Sequence, residues 1–150
     1  MKSPAKLRTA IAALWSDDEQ ARAAAAGHLA GMAIDVVDIR AAQPALIVAL
    51  ADASVVVRRA AAYATSLRAD SGADVGMAVP ALLAHAEEPD AETRKNIWRA
   101  LRHGCKRQLA ALACALAKVQ RAAAADPDPE VRDHATRILA LLAAAPAPAS

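Results

Sequence analysis

The chain has 150 residues, enough for a single domain with a buried core. Alanine dominates its composition, and its aromatic residues are two tryptophans and one tyrosine, which predicts an all-α fold built from closely packed helices. The net charge of +2 is close to neutral and argues against electrostatic binding by the whole surface.

The first predicted helix pair runs from about residue 4 to 15 and from about 18 to 33. Ser3 and Pro4 form a typical helix start, a capping hydroxyl followed by proline at the first helical position. The sequence from Ser16 to Glu19 is typical of a capping box that opens the second helix.

The second pair is predicted at about 36–51 and 54–67. Pro44 falls in the middle of the first of these helices, and Pro80 occupies the same place in the third pair. A proline inside a helix removes a hydrogen bond and bends it, so two kinked helices are the favoured interpretation. Alternatively, each helix begins at its proline.

The third pair is predicted at about 73–87 and 90–103, after a loop-like stretch at 68–74 and with Gly104 as C-cap. The fourth is predicted at about 106–125 and 128–144. Its second helix has a clear start, with Asp128 as cap and Pro129 in the first turn. The last residues, 146–150, are rich in proline and are predicted to be a flexible tail.

Four arginines mark an internal repeat. Arg22, Arg58, Arg94 and Arg132 are separated by 36, 36 and 38 residues, within the range of helical-pair repeats. Other columns keep the same step, including the two prolines and an acid six residues before three of the arginines. The sequence therefore predicts four units, at about 4–33, 36–67, 73–103 and 106–144, in one domain spanning 1–145.

The repeat resembles the HEAT family, especially the short bacterial form related to phycobilin-lyase HEAT-like repeats. The residues that carry the resemblance are those of the pattern Pro-Ala-Leu-x-x-x-Leu-x-Asp-x-x-x-x-Val-Arg-x-x-Ala, namely Pro44, Leu46, Leu50, Asp52, Val57, Arg58 and Ala61. The resemblance implies a right-handed α-solenoid of about four helix pairs, each with an outer A helix and an inner B helix. It implies little about function, since such arrays serve many roles.

In that family, the acid of the A–B turn and the first arginine of the B helix commonly pair in a ladder. An acid near a helix N-terminus is favourable, and the arginine can reach it or the matching acid one repeat over. We therefore expect a structural ladder, not an active site, from Asp52, Arg58, Glu88, Arg94, Asp126 and Arg132.

The sharpest functional signal is charge segregation, because residues 93–125 include eight basic residues and no acid. Lys95, Arg99 and Arg102 follow helical spacing and form one stripe. The resemblance implies that B helices line a concave surface, where the stripe would hold an acidic or phosphorylated partner segment. The expected partner-binding residues are Arg59, Tyr63, Lys95, Arg99, Arg102 and Arg137. The alternative is a solvated face whose acids lie in the turns.

We find no catalytic constellation, no metal-ligand spacing and no Gly-rich phosphate loop, so a non-catalytic protein-interaction scaffold without cofactor is expected. Two alternatives stay open: an accessory subunit of an enzyme, similar to bilin lyases, and a nucleic-acid-binding protein. Nucleic acid is disfavoured because no aromatic residues interleave with the basic ones. The chain is expected to be a monomer or a weak homo-oligomer.

The targeting and cysteine signals are consistent with a reducing cytoplasm. No signal peptide and no stretch approaching the roughly 18 apolar residues of a membrane span are visible. Cys105 and Cys114 form no CxxC motif, and Cys114, in an apolar helix, is expected in the core. Trp98 is expected to pack against a neighbouring unit, while the sequence does not decide whether Trp15 is buried.

Overall fold

A computed structural model describes residues 4–104 and 108–145, and this part of the chain is helical without a β-strand. The all-α prediction is therefore confirmed. No helix in these two ranges is long and apolar enough to cross a membrane. The α-helices, in chain order, are α1 (Pro4–Ala13), α2 (Glu19–Ile34), α3 (Gln43–Ala49), α4 (Val55–Asp70), α5 (Val79–Ala84), α6 (Ala91–Gly104), α7 (Leu109–Cys114), α8 (Leu116–Ala125) and α9 (Pro129–Ala144).

Consecutive helices pack as pairs, and the second helices of the pairs pack on one another. Helix α1 contacts α2, α3 contacts α4, α5 contacts α6, and α8 contacts α9. The long helices then form a row in which α2 contacts α4, α4 contacts α6, and α6 contacts α9. We call α2, α4, α6 and α9 the B helices. Their row lets a side chain of one unit reach the next.

The two internal prolines begin helices instead of kinking them. Pro44 and Pro80 lie in the first turns of α3 and α5, each of which follows a short 3₁₀ turn (Arg40–Ala42 and Gly76–Ala78). The kinked-helix prediction was wrong and its alternative is correct. The reason is physical: a proline in the first turn costs no helical hydrogen bond, because the N–H it lacks has no partner there.

The fourth unit also departs from the prediction. Its first helix is divided into α7 and α8 at Ala115, whose φ of −103° and ψ of 18° depart from α-helical values. Gly104 lies inside the last turn of α6 instead of after it. Lys106, Cys105 and the predicted tail at 146–150 fall outside the described residues.

Side-chain caps open three of the B helices, and the cap of α6 is Asp90, which accepts from Thr93 N at 2.9 Å. At α9, an oxygen of Asp128 accepts hydrogen bonds from the backbone N–H groups of Glu130 and Val131, at 2.8 and 3.4 Å. At α2 the cap is Asp18, which accepts from Gln20 N at 2.9 Å. Ser16 instead accepts from Asp18 N within the turn, and the third residue of α2 is Ala21, so the predicted capping box was wrong. Asp18 and Asp128 occupy matched positions of the repeat, four residues before a ladder arginine.

The core consists mainly of alanine, leucine and valine between the helix pairs. Trp98 is 1% exposed, so it lies in the core, and its indole N–H donates to the carbonyl of Ala86 in the same unit at 3.0 Å. Trp15, by contrast, is 60% exposed. Cys114 is exposed, so its assignment to the core was wrong. It is the last residue of the short α7, of which Leu112 alone is buried.

The segments after α2 and α4 end their helices in the same way. After α2, Val36 N donates to Ala33 O and Val37 N donates to Met32 O, which is a Schellman motif. After α4, Gly72 N and Ala73 N make the equivalent hydrogen bonds to the carbonyls of Ala69 and Arg68. Both Val36 and Gly72 have positive φ, 57° and 78°.

Residues 68–70 belong to α4 and Arg68 is buried, so the loop predicted at 68–74 begins later.

Candidate functional site

Three arginine–carboxylate pairs join neighbouring units. Nε and Nη2 of each arginine donate to the two carboxylate oxygens of the acid one repeat further on, a bidentate geometry. The donor–acceptor distances are 2.7 and 3.1 Å for Arg22–Asp52, 3.2 and 2.8 Å for Arg58–Glu88, and 2.9 and 3.2 Å for Arg94–Asp126.

The third nitrogen of each arginine holds its own turn. Nη1 of Arg58 donates to the carbonyls of Asp52 and Ala53, both at 2.9 Å. Arg22, Arg94 and Arg132 make the same two bonds to the residues six and five positions before them. One guanidinium thus satisfies two turn carbonyls and binds the next unit, so this set of contacts is structural.

The ladder stops at both ends of the described chain. Ser16 occupies the acid column of the first unit, and its hydroxyl oxygen accepts from Asp18 N. Arg132 keeps the bonds to its own turn, at 2.6 Å to Asp126 O and 3.1 Å to Pro127 O, and no acid among residues 4–104 and 108–145 pairs with it.

Two turn acids are held ionised by these contacts. The Arg22 side-chain hydrogen bond lowers the pKa of Asp52 below its ordinary value, against the opposing effect of burial. Arg59 lowers the pKa of Asp90 in the same way, and both the hydroxyl and backbone N–H of Thr93 add hydrogen bonds to that carboxylate. Both groups therefore stabilise the fold only while ionised.

The residues predicted to bind a partner lie on α4, α6 and α9, and each has some solvent exposure. Arg59 and Arg137 are exposed, while Tyr63, Lys95, Arg99 and Arg102 are partly buried. The three helices carrying them contact one another in sequence, and side-chain contacts from Arg59 to the start of α6 and from Lys95 and Arg102 to α9 join them across one surface. We call it the B-helix surface.

The cations of this surface are matched by acids or a histidine of the same chain. Arg59 pairs with Asp90 at 2.7 Å, Lys95 with Glu92 at 2.9 Å and Glu130 at 3.6 Å, and Arg99 with Asp70. Arg137 pairs with Asp133 at 2.8 Å, and Arg102 lies 3.3 Å from Nδ1 of His134. The basic stripe is thus embedded in a surface of mixed charge.

Sequence reasoning missed Asp70 and Asp90 as partners of the stripe. A signal existed for Asp90, because it shares the cap column of Asp18 and Asp128. Asp70 had no such signal, since the last turn of α4 was predicted to be loop. Only the packing of α4 on α6 brings it to Arg99.

A cleft of about 710 Å³ opens where the ends of α4 and α6 meet α9. Its polar lining comes from Asp70 and Asp74, from Arg102 and His103 of α6, and from Arg137 of α9. Its apolar lining includes Val75, Ala140 and Leu141. Nε2 of His103 lies 3.4 Å from Oδ1 of Asp70. Arg102 and Arg137 of the B-helix surface therefore also line a concave site.

The histidines are dispersed. His134 is half buried, and burial together with the charge of Arg102 lowers its pKa, which favours the neutral ring near that arginine. Among the residues that the structure describes, no group of three or more histidine, cysteine or acidic side chains is arranged to hold a metal ion.

No protein-family model and no curated protein matches this chain. Its fold is similar to two crystal structures of engineered proteins from the Northeast Structural Genomics Consortium. Target OR329 is 22% identical with a TM-score of 0.78, over 91% of this chain and 62% of that one. Target OR497 is 22% identical with a TM-score of 0.76, over 92% of this chain and 38% of that one. At this identity the likeness concerns the fold alone, and the chain spans less than two thirds of either protein.

Proposed function

We propose that this chain is a HEAT-like right-handed α-solenoid that acts as a non-catalytic interaction module, binding an acidic segment of a partner protein on the B-helix surface. The observation that carries the proposal is the concave cleft in which Arg102 and Arg137 lie beside apolar side chains, with Asp70 and Asp74 also in its lining. A carboxylate of the partner contacts these arginines, and neighbouring apolar side chains of the partner contact Ala140 and Leu141.

The ion pairs within the chain do not block such a partner. Arg137 and Asp133 are 56% and 52% exposed, and exposed pairs of this kind contribute only about 0.3–0.5 kcal/mol. A partner carboxylate exchanges with Asp133 at small cost and gains a partly desolvated contact in the cleft. Binding that depends on such exchange weakens as salt is raised.

The rigidity of the row supports recognition with little ordering cost. The ladder arginines and the cross-helix pairs Arg59–Asp90 and Arg99–Asp70 hold the B helices against one another. A partner that docks on α4, α6 and α9 therefore meets a surface that is already ordered.

The experiment begins with affinity capture from an extract of the source cells, with the wild type, Arg137→Glu and Arg121→Glu as baits. Mass spectrometry identifies the captured protein. Fluorescence anisotropy titrations then measure the affinity of each bait for acidic peptides from that protein. Arg121 is the matched control: it is 66% exposed, lies on α8 outside the B-helix surface and pairs with one acid, Glu87. We expect Arg137→Glu to weaken binding about tenfold and Arg121→Glu to leave it unchanged.

Equal binding by the wild type and Arg137→Glu would refute the proposed surface. A partner whose bound segment carries no acidic side chains would refute the proposed chemistry. Circular dichroism of both variants verifies that the helices are intact.

A further inference from the structure

A second, smaller cavity lies between the ends of α2 and α4. It has a volume of about 200 Å³ and mostly apolar walls, formed by Ala33, Val37, Ile39 and Ala73 together with Val36 at the end of α2. Its polar lining consists of Arg68, Ser71 and Asp38. Ala73 is the one residue that it shares with the larger cleft, so the two sites are separate.

Arg68 is buried beside this cavity, and no carboxylate of the described chain forms a hydrogen bond or an ion pair with it. It is 6% exposed, and its one hydrogen bond among the described residues is donated by Nη1 to the neutral Oε1 of Gln43, at 2.6 Å. The amide nitrogen of Gln43 is buried without a partner. Burial lowers the pKa of Arg68, which shows that the environment penalises its charge.

The repeat itself does not require this pair. In the matched column, ten residues after each ladder arginine, the other units have Met32, Gly104 and Leu142. Gln43 precedes Pro44, and the equivalent residue before Pro80 is Val79, which is fully buried. Burial of a charge without a paired counter-ion is unfavourable, and an apolar pair fits the same architecture. Packing of the repeat therefore does not require an arginine at this position.

The neighbouring charged groups are engaged elsewhere. Oδ2 of Asp38 accepts from Arg40 Nη2 at 2.7 Å and Oδ1 accepts from Arg40 N at 2.9 Å. Asp74, the other acid near Arg68, accepts from Gly76 N at 2.8 Å. These acids attract Arg68 only from a distance, and Nε and Nη2 of its guanidinium make no hydrogen bond within the described chain.

We propose that this cavity binds a small monocarboxylate with a short aliphatic chain, whose carboxylate accepts hydrogen bonds from Nε and Nη2 of Arg68. A guanidinium fork matches a carboxylate, and charge-assisted hydrogen bonds of this kind are stronger than those between neutral groups. The aliphatic chain contacts Val37, Ile39 and Ala73. The volume is below the roughly 300–1,000 Å³ of sites for drug-sized molecules, so the ligand is smaller than those. Asp38 in the lining disfavours a dianion such as phosphate.

The experiment is an NMR titration of backbone amides with butyrate, its neutral isostere butyramide, and inorganic phosphate. For the wild type we expect saturable butyrate shifts at residues 33–39 and 71–73, and at least about tenfold weaker binding of butyramide and phosphate. Arg68→Met introduces the residue found at the matched Met32 and is expected to fold and to lose butyrate binding. Arg8→Met, on the exposed face of α1, is the control of equal charge change and retains it.

Arg68→Lys provides a second variant that keeps the charge and loses the fork, and we expect intermediate affinity. Butyrate binding that survives in Arg68→Met, or the absence of saturable shifts in the wild type, would overturn the proposal. Phosphate binding more tightly than butyrate would overturn the ligand class, and equal binding of butyramide would overturn the role of the charge. None of these outcomes depends on the partner surface of α4, α6 and α9.

Discussion

At the scale of single residues, one backbone position carries strain that its repeat equivalent avoids. Val36 has φ 57°, a left-handed conformation that a β-branched side chain adopts at a cost. Gly72, 36 residues later in the same Schellman motif, has φ 78° without that cost. Val36 is 84% exposed, so its side chain contributes little burial to offset the strain.

We therefore predict that Val36→Gly stabilises the protein by about 0.5–1 kcal/mol, the relief of left-handed strain less the entropy cost of glycine. Gly72→Ala is the reciprocal variant and is expected to destabilise by about 1 kcal/mol. An added Cβ at Gly72 meets no atom within 4 Å, so this change tests the backbone alone. Urea denaturation measures the free energy of unfolding of both variants. A lower value for Val36→Gly than for the wild type would contradict the interpretation that Val36 is strained.

At the scale of helices, two starts with similar sequence signals differ in their hydrogen bonds. Asp128 caps α9 through two backbone N–H groups. Ser54 occupies the same column before α4, yet its hydroxyl makes no cap hydrogen bond and its Oγ is buried without a partner. Position in the repeat thus predicts the location of a cap but not its strength.

We predict that Asp128→Ala lowers the free energy of unfolding by about 1 kcal/mol, because α9 loses its side-chain cap and an acid at its positive end. Ser54→Ala is expected to change it by less than about 0.5 kcal/mol, since no hydrogen bond is removed. Thermal and urea unfolding of the two variants provide the comparison. Equal losses would show that the Ser54 hydroxyl forms a cap in solution.

At the scale of the whole molecule, the ladder couples each unit to the next and makes stability depend on pH. The folded protein lowers the pKa of Asp52 and of Asp90, so the unfolded chain binds protons more readily than the folded one at acidic pH. Their contribution is complete above the ordinary aspartate pKa of about 3.9 and is lost as pH falls through the lower folded values.

We predict that Asp52→Asn destabilises the protein by about 1–3 kcal/mol at pH 7 and flattens the decline in stability below about pH 4. Asp133→Asn is the control, because Asp133 is 52% exposed and pairs within α9, and its effect is expected below about 0.5 kcal/mol. Urea denaturation from pH 7 to pH 2.5 tests both. If the free energy of unfolding of Asp52→Asn falls below about pH 4 as steeply as that of the wild type, the proposed link between Asp52 and acid stability is contradicted.

The sequence alone determined the helical class, the period and the B-helix starts. These follow from local properties: alanine favours helix, a matched arginine recurs with each unit, and an aspartate or serine precedes each B helix. The same local signals mislead at Pro44, where a recurring proline fits both a kink and a first turn. Propensity does not separate the two, because the residues before Pro44 are compatible with a helix, whereas in the structure they form a separate 3₁₀ turn at Arg40–Ala42.

Only the tertiary structure decided which charges meet and which are buried. Asp70 reaches Arg99 because α4 and α6 are neighbours, and this contact between residues 29 positions apart has no local signature. Arg68, in a predicted loop, turns inward because α4 continues to Asp70 and places it among buried side chains. The charge pattern along a sequence shows whether a helix face is basic or acidic. The electrostatic energy of its side chains depends on their ion pairs and their exposure to water, which are set by packing between helices.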